Sequence, residues 1–450
     1  MKVKHKKVLI DLKGEIYLVG GVIRDYLLGV KLRDIDLVVV GPTKQVAQEF
    51  AAAVGGSFVS LDKSRGMYRV VTSDLIYDFN SLTATRLEED LKRRDFTINA
   101  VALKLSNADH PEKNWIDPYG GIADIKEGKI KVVSDTSFRA DPLRILRMVR
   151  FKAQFDFTIT KKTKQLATKA ASQIDEVANE RIKEELVRIC SYPQTAENID
   201  LLDQIGIIAK LIPQVDELQK IGECKYHQED VWTHSLTAVK EVEELLATEF
   251  WSAQISPAKI PLLKLAALLH DYGKLFTEEN IDGEIHFYGH QQVGVEKLRP
   301  LLTKLKFSNQ ELDYILTLVR YHMRPFALYR AENLTFKGKY RFFKAGADFV
   351  ADICLLAAAD KLSTAKLNNR GQEINKGLQF LKNLIADKEK YKERNQVKLI
   401  SGQDLITKFN LTEGPKIGEI LEKINQLQAD GQIKTRREAL QWAEKYINEE

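Results

Sequence analysis

The fold of the first part of this chain is decided by residues 17–41, YLVGGVIRDYLLGVKLRDIDLVVVG. This stretch reads as an apolar strand, a glycine pair, a short helix and a second apolar strand that begins with Asp34 and Asp36. Because side chains alternate faces along a strand, both carboxylates point to one side of the sheet and Ile35 points to the other. Two hard oxygen ligands aimed at one point predict a Mg²⁺ site.

The glycine pair predicts a phosphate-binding turn beside those carboxylates. Gly20 and Gly21 let the backbone approach a ligand closely, and the helix that follows begins with free N–H groups that favour an anion. Arg24 adds a positive charge. A lone glycine pair or a lone DxD would equally suit an ordinary strand–turn–helix unit with surface acids, so the hypothesis depends on their ordered combination.

That combination, GGxxRD followed about ten residues later by DxD at the head of an apolar strand, resembles the nucleotidyltransferase superfamily of DNA polymerase β. The closer resemblance is to the bacterial class II tRNA nucleotidyltransferase and poly(A) polymerase family. It implies an α+β fold, with an N-terminal head of short mixed sheet and helices followed by an elongated all-α body. The implied domains are a head (1–137), a helical neck (138–205), an HD domain (206–365) and a helical tail (366–450).

A second motif of this family matches RRDFTIN at residues 93–99. Guanidinium groups offer forked donors to triphosphate oxygens, and the resemblance assigns Arg94 to that role. Asp95 and Asn99 can accept from and donate to a ribose hydroxyl. The family also places a third metal-facing carboxylate on a strand, which we assign to Asp78 in IYDFN.

The segment RADPLRILRMVRF at residues 139–151 resembles the base-reading motif of the family. It is predicted to place Asp141 and Arg144 on one helical face. A carboxylate accepts from the exocyclic amino group of cytosine or adenine, and a guanidinium donates to the adjacent ring nitrogen. Arg147 and Arg150 continue the basic face toward nucleotide or RNA. The family usually has Glu before this Asp, where this chain has Ala140.

Two further motifs are predicted to support the site. IDPYGGIADIKEG resembles a structural turn that joins the head to a final hairpin, and ANERIKEELVRIC resembles a charged supporting helix of the neck. The supporting helix carries Glu180, Arg181 and Glu184; a solvated charged helix is the alternative interpretation.

The segment between Asp78 and the second motif is short, FNSLTATRLEED. Family members that build the whole CCA end usually carry a longer loop here, so the resemblance favours addition of C from CTP to the 3′ end of tRNA, with a separate A-adding enzyme. A full CCA-adding enzyme that also uses ATP, a poly(A) polymerase and a phosphohydrolase acting on RNA ends or nucleotides remain the alternatives.

Histidine is concentrated in the middle of the chain, where six of eight lie between residues 227 and 322. Histidine and carboxylate side chains on several helices can converge on divalent metals that activate water. The arrangement resembles the HD phosphohydrolase superfamily, and its implied ligands are His234, His270, Asp271 and Asp360, with His290 and His322 for a second metal. The implied metal is a divalent transition metal; buried core histidines are the alternative.

The composition of the chain limits the classes of protein to which it can belong. The 450 residues are 44% hydrophobic, enough for several packed domains, and we find no apolar run long enough to span a bilayer. The basic start leads into a strand-like segment without a signal-peptide core, so we expect a cytoplasmic protein with no membrane partner.

Three cysteines lack CxxC spacing, which argues against a zinc ribbon. In the tail, Lys434, Arg436 and Arg437 could contact tRNA phosphates.

Overall fold

The computed structural model describes residues 1, 3–82, 84–221, 229–331, 334–368, 371–394 and 398–449. The chain forms two compact units, one of Met1–Tyr192 with Asn198–Leu211, the other of Pro193–Glu197 with Ile212–Glu450. Head and neck therefore share one unit. The finer domain boundaries stay a prediction. No helix in the described ranges is long and apolar enough to cross a membrane.

A mixed sheet forms the centre of the first unit, and within the described residues it has seven strands in the order β3-β4-β5-β2-β1-β6-β7. The strands are β1 Glu15–Val19, β2 Asp34–Val40, β3 Ser57–Asp62, β4 Met67–Val71, β5 Ile76–Ser81, β6 Ala102–Lys104 and β7 Trp115–Ile116. The β2–β5 pair is parallel, whereas β1–β2 and β4–β5 are antiparallel. The prediction of a short mixed sheet is confirmed.

Helices cover the sheet and continue into the neck. They are α1 Lys6–Asp11, α2 Gly21–Leu27, α3 Thr43–Val54, α4 Leu87–Lys92, α5 Gly121–Lys126, α6 Ser137–Ala140, α7 Arg144–Phe155, α8 Lys161–Ala170, α9 Asn179–Cys190, α10 Thr195–Ile205 and α11 Ile208–Leu211. A two-stranded parallel pair joins β8 Lys129–Ile130 to β9 Thr158–Ile159.

The head is held together by an apolar layer between α3 and the sheet. Phe50 of α3 packs against Tyr77 and Phe79 of β5, with ring centroids 4.7 and 5.5 Å apart, and all three side chains are fully buried. Burying one such side chain contributes about 2 kcal/mol. This layer fixes β5 beside β2 and so fixes the strand that carries Asp78 beside the one that carries Asp36.

Where the structure describes it, the second unit is helical apart from one hairpin, β10 Glu279–Ile281 with β11 Glu284–His286. Its helices are α12 Val215–Leu218, α13 Val231–Leu246, α14 Glu249–Gln254, α15 Ile260–Leu269, α16 His290–Lys304, α17 Asn309–Tyr321, α18 Arg324–Tyr329, α19 Phe336–Gly346, α20 Val350–Asn368, α21 Gly371–Arg394, α22 Gly402–Phe409, α23 Pro415–Asp430 and α24 Arg436–Glu449. The tail helices α22–α24 enclose a small core around Leu405, Ile420 and Ile424.

Two local predictions were wrong. The N-terminal strand-like segment is the helix α1, which buries Leu9 in the head core. The third motif forms the helix α5 rather than a turn before a hairpin, because Asp117 accepts hydrogen bonds from the Gly121 and Ile122 amides at its start. The strand that follows, β8, pairs in parallel with β9 beyond α7, so no hairpin forms there.

Candidate active site and candidate metal centre

Three carboxylates lie on one face of the sheet. Asp34 and Asp36 are two residues apart on β2, and Asp36 is directly opposite Asp78 of β5. Ile35 is buried on the other face, as predicted. Burial raises the pKa of Asp36, and the charges of Asp78 and Asp34 raise it further, while Arg94 and the Gly21 amide oppose them. A divalent cation would relieve this concentration of negative charge.

Asp78 is held by an arginine that the sequence did not reveal. Arg69 of β4 donates from Nε and Nη2 to the two carboxylate oxygens of Asp78, at 2.7 and 2.8 Å. The two residues are direct partners across β4 and β5. The hydrogen bond to Asp78 raises the pKa of Arg69, so the guanidinium is charged at any physiological pH.

The glycine turn forms as predicted and brings a cation next to the carboxylates. Gly20 has φ 67°, and a Cβ there would lie 2.5 Å from Arg94 Nη1 and 3.3 Å from Asp36 Oδ2. The Gly21 amide donates to Asp36 Oδ2 at 3.3 Å. The positive φ favours glycine at residue 20, and the absence of a Cβ leaves room for the Arg94 guanidinium beside the turn.

Asp95 and Asn99 belong to a buried network. Asp95 Oδ2 accepts from Arg147 Nε and Nη2 at 2.9 and 2.6 Å, and Oδ1 accepts from Asn99 Nδ2 at 2.9 Å. Arg24 Nη1 in turn donates to Asn99 Oδ1 at 2.7 Å. Burial raises the pKa of Asp95, but the charge of Arg147 and the hydrogen bonds from Arg147 and Asn99 lower it by more, so the pKa lies below its usual value.

Asp141 and Arg144 are close, although not on one helical face as predicted. Asp141 has an extended backbone between α6 and α7, because a residue that precedes proline, here Pro142, avoids the helical region. Its Oδ1 accepts from the Leu143 amide at 3.2 Å, and its Oδ2 accepts from Arg181 Nη2 at 2.9 Å.

Arg144 is fixed by oxygens from α6 and from the second motif. Its Nη1 donates to Ser137 Oγ at 2.8 Å, and its Nη2 donates to the Arg93 carbonyl at 2.7 Å. Burial lowers the pKa of Arg144. Asp141 is thus attached to α9 through Arg181, and Arg144 is attached to the second motif through the Arg93 carbonyl.

The carboxylate that joins α7 to α9 is Glu185, which the sequence analysis missed in favour of Glu184. Glu185 is buried and its Oε2 accepts from Arg150 Nε at 2.6 Å, whereas Glu184 is exposed. A usable signal was present, since Glu185 falls among the buried apolar positions Ile182, Leu186 and Ile189 of α9. A carboxylate in an apolar stripe indicates a buried partner.

These side chains line one open cavity of about 1190 Å³. Twelve of the thirteen predicted residues of this site are among its lining: Gly21, Arg24, Asp34, Asp36, Asp78, Arg94, Asp95, Asn99, Asp141, Arg144, Arg147 and Arg150. Eleven Lys and Arg side chains and six Asp side chains line it. Such a cavity suits an anionic ligand of nucleotide size that brings cations to the carboxylates.

In the second unit, all six predicted histidine and aspartate side chains converge. His234 Nε2 lies 3.1 Å from Asp360 Oδ1 and 3.6 Å from Asp271 Oδ2. His290 Nε2 lies 3.3 Å from Asp271 Oδ1 and 3.4 Å from His322 Nε2. Two overlapping triads have ligand atoms close enough for one ion each: His234, His270, Asp360 and His270, Asp271, His322.

Backbone carbonyls determine which nitrogens of this cluster face inward. Nδ1 of His270, His290 and His322 donates to the carbonyls of Ala267, Phe287 and Val319, at 2.7, 2.9 and 2.7 Å. A neutral imidazole that donates from Nδ1 has a lone pair on Nε2. Burial lowers the pKa of His322 to about 3, with the charge of His270 contributing, so this ring is neutral.

The Nε2 atoms of His290 and His322 face each other at 3.4 Å, and His270 Nε2 lies 3.4 Å from Asp271 Oδ2 and 3.7 Å from Asp360 Oδ1. A divalent metal ligand set explains this arrangement, since a metal accepts electron density from each ring. Beside it, Lys274 Nζ contacts Asp271 Oδ2 at 2.5 Å. His227 and Cys224 lie outside the described residues; Cys190 and Cys354 are buried.

Family models match most of the chain. The poly A polymerase head domain matches residues 16–82 and 69–131, the probable RNA and SrmB-binding site of polymerase A matches residues 156–219, and a putative tRNA nucleotidyltransferase domain 2 matches residues 287–443.

Curated relatives match nearly end to end. The A-adding tRNA nucleotidyltransferase of Deinococcus radiodurans is 31% identical over 96% of this chain and 95% of its own. The CC-adding tRNA nucleotidyltransferase of Thermus thermophilus is 32% identical over 94% and 91%. The solved Thermotoga maritima CCA-adding enzyme complexed with tRNA has the same fold, with a TM-score of 0.62, 24% identity, and coverage of 98% and 94%.

Proposed function

This chain belongs to the class II tRNA nucleotidyltransferase and poly(A) polymerase family, and we propose that it adds C from CTP to the 3′ end of tRNA. The observation that carries this proposal is the single cavity in which three carboxylates, a row of arginines and the Asp141–Arg144 pair meet. Catalysis, triphosphate binding and base selection each have their residues there.

Asp34, Asp36 and Asp78 are the residues that would hold Mg²⁺. They fit it, because all three offer hard oxygen ligands on one face of the sheet and burial leaves Asp36 in need of a cation. When bound, the metal supplies activation of the RNA 3′-hydroxyl and charge stabilisation of the leaving pyrophosphate.

We infer that Arg94 holds the triphosphate. Its guanidinium lies against the glycine turn, and its Nε is buried without a hydrogen-bond acceptor in the part of the chain that the structure describes. A buried donor without an acceptor costs about 1–3 kcal/mol, which a phosphate oxygen would recover. The amide end of α2 adds donors in the same place.

Asp141 and Arg144 select the base. The Asp141 carboxylate accepts from the amino group of cytosine, and the Arg144 guanidinium donates to the adjacent ring nitrogen; UTP and GTP present the opposite pattern. A site built on buried polar groups rejects such ligands by about 10⁴-fold. The contacts from Arg181 and Ser137 hold both side chains in place for this role.

Preference for CC over CCA rests on the short connection between β5, which ends at Ser81, and α4, which begins at Leu87. Matches to an A-adding and a CC-adding relative at 31% and 32% identity leave this choice to experiment.

The test uses tRNA truncated before the CCA end and each labelled NTP in turn. We expect two C residues from CTP, no addition from ATP on the truncated tRNA, and loss of all addition in Asp36→Ala. Asp62→Asn, at a half-buried acid of β3, is the matched control. A terminal A after CC would make this a full CCA-adding enzyme, long ATP-only tails a poly(A) polymerase, and absence of incorporation would refute the proposal.

A second function is favoured by the histidine cluster of the second unit, whose facing Nε2 atoms support a metal-dependent phosphohydrolase of HD type. The residues fit a divalent transition metal, with His234, His270, Asp271 and Asp360 as ligands and His290 and His322 for a second ion. Metal analysis of the purified protein should give bound transition metal that His270→Ala loses. Equal metal content in wild type and His270→Ala would refute this site. If the metal-loaded protein hydrolyses neither RNA cyclic phosphates nor nucleotides, the metal has a structural role only.

A further inference from the structure

The third carboxylate of the head is engaged by an arginine for which the sequence motifs give no role. Arg69, Asp78 and Asp36 are direct partners across the adjacent strands β4, β5 and β2, so they form a row on one face of the sheet. Neighbouring strands are about 4.8 Å apart, which places the Arg69 side chain within reach of Asp78 and its charge near the pair on β2.

The contact is bidentate. Arg69 Nε and Nη2 reach one Asp78 oxygen each, at 2.7 and 2.8 Å, and the side chains are 38% and 20% exposed. Both partners line the catalytic cavity. The planar fork orients the carboxylate plane, which an ammonium group cannot do.

We propose that Arg69 is a positioning residue of the transferase site, which clamps Asp78 in one orientation and offsets its charge until the metal-bearing nucleotide arrives. This inference rests on the proposed function of the head. Arg69 disfavours metal in the empty site by charge repulsion and favours turnover by holding the third carboxylate.

Loss of Arg69 should therefore raise Mn²⁺ affinity and lower the rate of CTP addition. A residue with a merely structural role would lower both. Removing the cation in Arg69→Met should tighten Mn²⁺ binding to the substrate-free head roughly tenfold by removing a repulsive charge. The same change should slow CTP addition by about 10- to 100-fold, as loss of an outer partner of a metal ligand does. Arg69→Lys keeps the charge without the fork, so we expect wild-type Mn²⁺ affinity with slowed addition.

The experiment measures free Mn²⁺ by EPR during titration of the full-length protein, together with kcat for CTP addition to truncated tRNA. Mn²⁺ bound elsewhere is subtracted by titrating Asp36→Ala in parallel. Arg65→Met removes a cation from the turn between β3 and β4, where Arg65 lies 3.7 Å from Asp62, and is the matched control.

Tighter Mn²⁺ binding with slower addition in Arg69→Met supports the proposal. Unchanged or weaker Mn²⁺ binding in Arg69→Met overturns it, as does wild-type kcat in Arg69→Lys. If the wild-type protein shows Mn²⁺ binding that depends on Asp36 but no CTP addition, the proposed function fails while the Mn²⁺ comparison still decides the role of Arg69.

Discussion

Asp95 is surrounded by groups that favour its charged form. Arg147 donates two hydrogen bonds to one oxygen, and Asn99 and the Phe96 amide donate to the other at 2.9 and 2.8 Å. The assigned ribose-binding acid is therefore also the residue that connects the second motif to α7. One carboxylate thus joins two elements of the first unit and holds Arg147 and Asn99, which line the cavity.

The stability of the first unit should depend on pH through Asp95. Its folded-state pKa lies below the unfolded value of about 3.9, so its contribution is present above about pH 4 and lost as the pH falls through the folded-state pKa. Asp95→Asn should lower the free energy of unfolding by about 3 kcal/mol at pH 7, because Arg147 loses its partner, and should flatten the pH dependence below pH 5.

Urea unfolding of both proteins between pH 7 and pH 3 measures this. Asp156→Asn, an exposed acid in the left-handed region that asparagine also tolerates, is the control. The same pH dependence in Asp95→Asn as in wild type would contradict the assignment.

At the scale of elements, the histidine cluster depends on the close approach of α16 to the short 3₁₀ helix Tyr272–Phe276. A Cβ at Gly273 would lie 1.9 Å from the His290 carbonyl and 2.6 Å from the Gly294 amide. Both atoms belong to the backbone, so no flexible side chain could move aside to make room for a Cβ. Gly273 therefore sets the distance between Asp271, two residues earlier, and His290 at the start of α16.

Gly273→Ala should force α16 away and lower metal occupancy of the cluster by about tenfold or more, because ligand atoms must be held to a few tenths of an ångström. Metal analysis after gel filtration measures the occupancy. Gly338→Ala in α19, where the nearest atom is 3.5 Å away, is the control. Full occupancy in Gly273→Ala would show that the close approach does not set the ligand geometry.

At the scale of the whole molecule, each compact unit contains its own polar centre. The carboxylates and arginines of the transferase cavity belong to Met1–Tyr192, and the histidine cluster belongs to Ile212–Glu450. Each centre has a separate ligand set, so neither requires a side chain of the other. Asp34 and Asp36 therefore belong to the centre of the first unit alone.

The two centres should respond separately to substitution. Asp36→Ala should abolish CTP addition and keep the transition metal of the second unit, whereas Asp271→Asn should lose that metal and keep CTP addition within about twofold, since sites that share no partner behave independently. Incorporation and metal content are measured on the same preparations. Loss of both properties in either variant would indicate one coupled centre or a folding defect.

The amino-acid sequence by itself determined the features that depend on local geometry. The period of a strand placed Asp34 and Asp36 on one face with Ile35 buried. The mixed-sheet head and the helical body were expected from the resemblance to the family that the motifs carry. The extended Asp141 was also readable, since Pro142 excludes it from a helix, and the buried position of Glu185 was visible in the apolar stripe of α9. The six side chains of the second cluster were expected as ligands from the resemblance of the histidine and aspartate pattern to the HD superfamily.

Only the tertiary structure decided which side chains meet across elements. Arg69 reaches Asp78 because β4 and β5 pair in one particular register, and a shift of one residue would turn Arg69 to the opposite face. The inward-facing Nε2 atoms of the histidine cluster depend on carbonyls three residues earlier and on helices packed from distant parts of the chain. Such contacts are set by register and packing, which neither composition nor local pattern specifies.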